Sequence, residues 1–178
     1  MLEDAQIIEG CIKKDTQCRA MLYEKYAPFL YGVALRYTQT KEDAEDILHD
    51  SFLHIFDNLT KFEGKSAFPY WLKSLVINQA LSYYRRRVKM KSTDFNSYKA
   101  PIEDKTIVNS DMLTHQILLG FIRELPQGQQ TVFNLCAIEG YSYHEAAKEI
   151  HCTESTCRTQ LLRAKIRLRE RINDFLKK

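Results

Sequence analysis

The sequence predicts an all-α protein made of two small helical domains joined by a flexible linker. Three observations carry this. Apolar residues recur at three- and four-residue spacing in several segments, most clearly between Ala44 and Leu59, the period of one helix face. Six glycines and four prolines in 178 residues are too few for an all-β fold, which needs a turn about every 8–12 residues. Residues 92–110 (STDFNSYKAPIEDKTIVNS) are polar, contain Pro101 and keep no period. A structureless stretch of about 20 residues inside one compact domain is rare, so the domains are expected at 1–91 and 111–178, with 92–110 as the linker.

The elements follow in order. Ile7, Ile8, Cys11 and Ile12 mark a first helix. Met21 to Tyr37 reads as a second, with Pro28 inside it; proline removes a donor and crowds the preceding turn, which predicts a kink or break near Ala27. Thr40 can cap a third helix, with Asp43 as a weak capping-box partner. Its buried stripe is Ala44, Ile47, Leu48, Ser51, Phe52, Ile55, Phe56 and Leu59. A fourth runs from about Phe68 to Arg87 and ends in the basic cluster Arg85, Arg86, Arg87, Lys89 and Lys91. Beyond the linker, one helix runs from about Asp111 to Leu125 and stops at Pro126. Another runs from about Gln129 to Glu139 and stops at Gly140, a favoured C-terminal cap. Ser142 starts a short helix with Glu145 completing an S-x-x-E capping box. Thr153 caps the last, which extends to about Phe175. The turn Ile150–Thr153 is short enough to make the last two a helix-turn-helix.

Composition excludes several classes. The chain is 44% hydrophobic and 28% charged with a net charge of +3, ordinary for a soluble globular protein. No apolar run is long enough to span a membrane, and the start MLEDAQIIEG lacks the basic lead and apolar core of a signal peptide, so a cytoplasmic protein is expected. Five cysteines, an odd number, fit reduced thiols there. His151, Cys152 and Cys157 lie close together with His144 nearby, but Cys157 falls on an inter-helix core position and no CxxC exists, so no metal site is expected. No GxSxG, P-loop or Rossmann glycine pattern appears; neither catalysis nor a cofactor is expected.

Three patterns remain. In the helix-turn-helix, Ala147 is small where the helices approach, and Ile150, Cys157 and Leu161 pack between them. The other face of the last helix carries Ser155, Thr156, Arg158, Thr159, Gln160 and Arg163, and residues 154–178 hold eight Lys or Arg against three acids. Such side chains at a helix start suit base edges and phosphates in a major groove; a solvated basic helix is the plain alternative. Phe62, Phe68, Tyr70, Trp71, Tyr83 and Tyr84 lie near Lys61, Lys65, Lys73 and Arg85–Arg87. Rings stack on unpaired bases while cations follow phosphates, although any one ring at helical spacing can equally be core. Residues 42–57 hold six carboxylates and no Lys or Arg. That face repels DNA and is either plain solvated surface or, given Leu53 among the acids, a protein-docking surface.

DAEDILHDSFLHIF (43–56) resembles the most recognisable stretch of region 2 of bacterial sigma factors. FEGKSAFPYWLKSLVINQALSYYRRR (62–87) resembles the rest of that region, and LPQGQQTVFNLCAIEGYSYHEAAKEIHCTESTCRTQLLRAKIRLRERI (125–172) resembles region 4. Both halves stand in family order and at family spacing. With nothing like the other sigma regions, the chain resembles the compact extracytoplasmic-function group.

The resemblance implies a factor that binds core RNA polymerase, directs it to −35/−10 promoters and helps open the DNA, in response to a stress or envelope signal. It places polymerase contact on Asp46, Leu48, His49 and Asp50, with Leu53 beside them, docking on the β′ clamp helices; region 4 implies a contact with the β flap. Glu63, Gly64, Lys65, Ser66 and Phe68 match the loop that captures a flipped base. Asn78 matches an asparagine facing the −10 element, and Trp71, Arg85 and Arg86 lie on the same region. Arg158, Thr159, Gln160 and Arg163 match the −35 reading helix, whose exposed start adds Ser155 and Thr156. An anti-sigma partner is implied, and no membrane insertion. Ser82 stands where the family often has Asp. His151 replaces a usual Gly in the turn, with modest strain if φ is positive there. Cys152 and Cys157 replace aliphatic residues. A stand-alone helix-turn-helix regulator leaves the acidic helix and the aromatic segment unexplained. A recombinase with a DNA-binding tail needs a catalytic Ser, Tyr or metal cluster that the first domain does not offer. Promoter sequence, inducing signal and the orientation of the domains are not written in these patterns.

Overall fold

The computed structural model describes residues 4–91 and 115–177. All regular structure among them is helical: α1 (Asp4–Ile12), α2 (Thr16–Leu35), α3 (Lys41–Asn58), a 3-10 turn (Leu59–Lys61), α4 (Phe68–Lys91), α5 (His115–Arg123), α6 (Gln127–Phe133), a π-helical turn (Asn134–Ile138), α7 (Tyr143–Ile150) and α8 (Glu154–Leu176). The predicted linker 92–110 and the start expected at Asp111 lie outside the described residues. Contacts gather the chain into two units, Met1–Ala34 with Lys41–Ala80, and Leu35–Thr40 with Leu81–Lys178.

The first unit is built on apolar stripes. Ile7 and Cys11 of α1 are buried. The turn after α1 closes with Lys14 at φ 63°, and Asp15 Oδ1 accepts from the amides of Gln17 and Cys18 (2.8 and 3.0 Å), capping α2 as a short acid does at a helix start. No break occurs at Ala27: α2 is continuous through Pro28. Pro28 is exposed while Tyr26, Ala27 and Leu30 are buried, so packing on the opposite face holds the helix across the one missing bond. The stripe of α3 is as its period requires. Ala44, Ile47, Leu48, Ser51, Phe52 and Ile55 are buried, Leu59 follows in the 3-10 turn, and Phe56 is half-buried. Burial of each such Leu, Ile or Phe stabilises by about 1.5–3 kcal/mol. Ser51, the polar member, donates to the Ile47 carbonyl at 2.6 Å.

In the second unit α8 is the spine. Phe121 and Leu125 pack with Ala164 and Leu168, flanked by Ile117, Ile122, Phe133 and Ile172, and Arg171 grips Glu124 at 2.7 Å while lying over the Phe121 ring. The helix expected over 129–139 divides. After Phe133 the chain widens into a π turn, with the Glu139 amide reaching the Asn134 carbonyl at 2.9 Å, and Gly140 ends it at φ 80°. The segment 35–40 belongs to this unit through buried amides. Gln130 Nε2 donates to the Thr38 carbonyl (3.0 Å), its Oε1 accepts from Gln39 (2.6 Å), and Asn134 Nδ2 donates to the Arg36 carbonyl. Arg36 pairs with Glu139 at 2.9 Å, both side chains largely buried.

Candidate nucleic-acid interface

The turn between α7 and α8 is specified at both ends. Ser142 forms the full capping box with Glu145, its hydroxyl accepting from the Glu145 amide (3.2 Å) while its amide donates to the carboxylate (2.8 Å). The Ser142 hydroxyl, which also donates to the Glu145 carboxylate at 2.7 Å, and then the Ser142 amide hold that carboxyl below its ordinary range. Helix α7 ends on His151 at φ 56°, ψ 49°, a left-handed residue that sequence reading would fill with Gly, and Thr153 Oγ1 caps α8 by accepting from Thr156 N at 3.1 Å. Ala147, Ile150, Cys157 and Leu161 are all buried at the junction, as their spacing predicts.

Burial on one face leaves the other open. Ser155, Thr156, Arg158, Thr159 and Arg163 are exposed, and Gln160 is half-buried. The Arg158 guanidinium lies 5.3 Å from the centre of the Tyr143 ring and 4.0 Å from Glu154, which also meets His144 Nδ1 at 3.0 Å. Tyr143 and Glu154 are missing from the sequence-derived set. Tyr143 opens α7 and Arg158 lies on α8, so only the crossing of the two helices brings them together. Thr159 returns its hydroxyl to the Ser155 carbonyl at 2.9 Å.

The aromatic segment separates into core and surface. Phe68 is buried in a ring cluster, edge-on to Tyr26 (5.5 Å between centres) and Phe62 (5.0 Å) and stacked on Trp71 (5.9 Å). Phe68, expected beside a captured base, thus has its ring packed within this cluster. Trp71 is half-buried, and Tyr70, one of the rings of the aromatic-basic segment, is 68% exposed. Between Phe62 and Phe68, residues Glu63, Gly64, Lys65, Ser66 and Ala67 are exposed. Gly64 sits at φ 70° with nothing near its Cα to crowd it, and Lys65 pairs with Glu63. Along α4, Asn78 and Arg86 are exposed. Arg85 is half-buried and engaged, donating to the Glu149 carbonyl (2.7 Å) and to Ser82 Oγ (3.0 Å). Ser82, noted for departing from the family's Asp, thus holds an arginine.

On α3, Asp46, His49 and Asp50 are exposed, with Glu42, Glu45 and Asp57, and Leu53 stands among them 54% exposed. Leu48 is 7% exposed. Leu48, expected both in the buried stripe and among the docking residues, lies in the stripe beneath that face. Among the described residues no group of His, Cys, Asp and Glu is arranged to hold a metal, and no helix is long and apolar enough to cross a membrane.

Comparison with known proteins bears on both halves of the chain. The family described as Sigma-70 region 2 matches residues 22–90, and Sigma-70, region 4 matches residues 115–168. The chain is 24% identical over 186 residues to an ECF RNA polymerase sigma-E factor of Haemophilus influenzae, spanning 98% of both chains. It is 26% identical over 174 residues to an RNA polymerase sigma-H factor of Pseudomonas aeruginosa, spanning 92% of this chain and 90% of that one. Its fold is similar to that of the sigma factor RpoE of Bartonella quintana, solved with the anti-sigma factor NepR. The TM-score is 0.53 at 22% identity, over 86% of this chain and 96% of the other. Both sigma regions thus lie in one chain, in order, on an all-helical frame, and the protein belongs to the sigma-70 family as a sigma factor of the extracytoplasmic-function group.

Proposed function

We propose that this sigma factor docks on core RNA polymerase through the acidic face of α3, reads a −35 element with α8, and captures the non-template strand of a −10 element beside the loop 63–67. Residues 1–91 then carry polymerase and −10 contacts, and 111–178 carry −35 contacts and a contact with the β flap. The observation that carries the reading is the capped helix-turn-helix. Thr153 fixes the start of α8, and Ser155, Thr156, Arg158, Thr159 and Arg163 stand exposed there, the geometry by which a recognition helix enters a major groove. Asp46, His49, Asp50 and Leu53 form the exposed docking surface on the β′ clamp helices, with Leu48 supporting it from below. Strand capture rests on Gly64, Lys65 and Ser66, with Tyr70 and Trp71 as stacking rings and Asn78 and Arg86 along α4. By analogy with the Bartonella protein, an anti-sigma factor holds the protein until a stress or envelope signal releases it.

Run-off transcription by core polymerase on a genomic library, with and without the protein, tests the whole reading: new starts preceded by a shared −35/−10 pair are expected. Replacing Gly64–Ala67 with an unrelated sequence is expected to leave closed-complex formation largely intact and to abolish permanganate reactivity of unpaired thymines. Wild-type reactivity in that variant places strand capture elsewhere. A protein that binds duplex DNA and never associates with core polymerase is a stand-alone regulator.

A further inference from the structure

The helix-turn-helix contains a pair of thiols that DNA reading does not use. Cys152 is the second residue after α7 and Cys157 lies in the first turn and a half of α8, and their sulfurs are 3.4 Å apart. Both are free thiols. Cys157 has no exposed surface and Cys152 is half-buried. The chain at Cys152 is held by its amide, which donates to the Ala147 carbonyl at 3.0 Å, directly after the left-handed His151. A disulfide needs its sulfurs about 2.05 Å apart, so the gap closes by a little over an ångström. We propose that Cys152 and Cys157 form an oxidisable dithiol at the turn, and that a hydroperoxide converts it to a disulfide which displaces the start of α8 and weakens promoter use.

The chemistry balances with a hydroperoxide as the two-electron oxidant. The Cys152 sulfur, the one that solvent reaches, attacks the outer peroxide oxygen as thiolate. The O–O bond breaks, the departing alkoxide or hydroxide takes up a proton, and Cys152 becomes a sulfenic acid. The Cys157 sulfur then attacks the sulfenyl sulfur. The S–S bond forms, the S–O bond breaks, and the leaving hydroxide takes the Cys157 proton as water. Two thiols are oxidised and one peroxide is reduced. Burial, reinforced by the neighbouring Cys152 thiol, pushes the Cys157 thiol up to about 12, so its proton departs with the hydroxide and not beforehand. The six-residue ring 152–157 contains Thr153 and Thr156, the pair whose bond caps α8, and Cys157 adjoins Arg158. Drawing the two sulfurs together therefore shifts the cap and the adjoining Arg158.

The consequence for promoters rests on the −35 reading above; formation of the bond does not. The full chain is treated with hydrogen peroxide, freed of it, alkylated under denaturing conditions and digested with trypsin. Cys152 and Cys157 share the peptide following Lys148 and ending at Arg158, whereas Cys136 lies outside it. The expected product is that peptide unalkylated and lighter than the dithiol by two hydrogen atoms. Both thiols alkylated, or a link to Cys136 or to a second chain, overturns the proposal. In parallel, oxidised protein is mixed with core polymerase on the template giving the strongest run-off. Open-complex formation is expected to fall about tenfold, the equivalent of one good base contact, and to recover with dithiothreitol. Cys152→Ser is expected to be as active as wild type and indifferent to peroxide. A linked peptide with undiminished transcription overturns the regulatory role. Reduced protein that drives no transcription at all sinks the promoter reading, while the peptide still decides whether the dithiol oxidises.

Discussion

Arg158 shows how a residue's surroundings decide its function. Its neighbours hold it loosely: an exposed ion pair at 4.0 Å with Glu154 contributes about 0–1 kcal/mol, and the Tyr143 ring about 0.5–1 kcal/mol at an exposed site. A bidentate contact to a guanine edge discriminates by about 1–3 kcal/mol, enough to draw the side chain from both. Arg158→Ala is therefore expected to weaken −35 duplex binding by about 1–3 kcal/mol with loss of preference at one base pair. If the contact is to phosphate, all sequences weaken about equally and the salt slope falls by about one. A salt series on promoter and scrambled duplexes distinguishes these, and unchanged affinity for both removes α8 from the interface. The same logic sets Arg85 apart. Its bonds to the Glu149 carbonyl and Ser82 occupy the guanidinium, whereas Arg86 is exposed.

At the scale of elements, α3 separates a buried apolar face from an exposed acidic one. Asp46 and Asp50 are exposed opposite the buried stripe, so Asp46→Arg with Asp50→Arg is expected to leave helicity and melting temperature nearly unchanged, each surface change altering stability by no more than ~0.5 kcal/mol. Assembly with core polymerase is expected to fall sharply as like charges meet. Native-gel titration of holoenzyme at normal affinity refutes the docking face. Helix α1 is held differently. Asp4 accepts from Lys25 Nζ (2.7 Å) and from the Tyr26 hydroxyl (2.8 Å). The Lys25 bond most strongly, opposed by partial burial and aided by Tyr26, holds the Asp4 carboxyl below the ordinary 3.8. A depressed folded value means that this stabilisation is present above the unfolded pKa and is lost as pH falls through the folded one. Because the pair is well exposed, the discounted effect is at most about 1 kcal/mol. Urea midpoints of wild type and Asp4→Asn are expected to differ near neutrality and converge below about pH 4; a constant difference down to pH 2 shows that the carboxylate charge is irrelevant.

At the scale of the molecule, the second unit recruits residues 35–40 by polar means. Gln130 and Asn134 have no exposed surface and meet the carbonyls of Thr38 and Arg36. A buried carbonyl deprived of its donor costs about 1–3 kcal/mol. Gln130→Met keeps the volume and removes both bonds, so urea denaturation of the full chain is expected to show about 1–3 kcal/mol of lost stability. A loss under about 0.5 kcal/mol means that water already serves these groups. Gln130 and Asn134 lie within the helix read from sequence over about 129–139, and nothing in their spacing announces a carbonyl far along the chain.

What the sequence by itself determined is therefore everything that local rules govern. The all-helical class, the α3 stripe, the Ser142–Glu145 box, the Thr153 cap, the Gly140 stop and the positive φ suspected at His151 all arise within a few residues of one another, where period and capping chemistry act. Family order was legible too, because the quoted stretches are contiguous. What only the tertiary structure decided is which side of a packed element each chemically suitable residue occupies. Phe68 is of the right type for a base, yet it is buried, while Tyr70 and Leu53 are open. The continuity of α2 through Pro28, the π turn after Phe133 and the 3.4 Å approach of Cys152 to Cys157 belong to the same class. Each depends on packing or on the path of the chain around a turn, and those forces exceed the local preferences that a sequence displays.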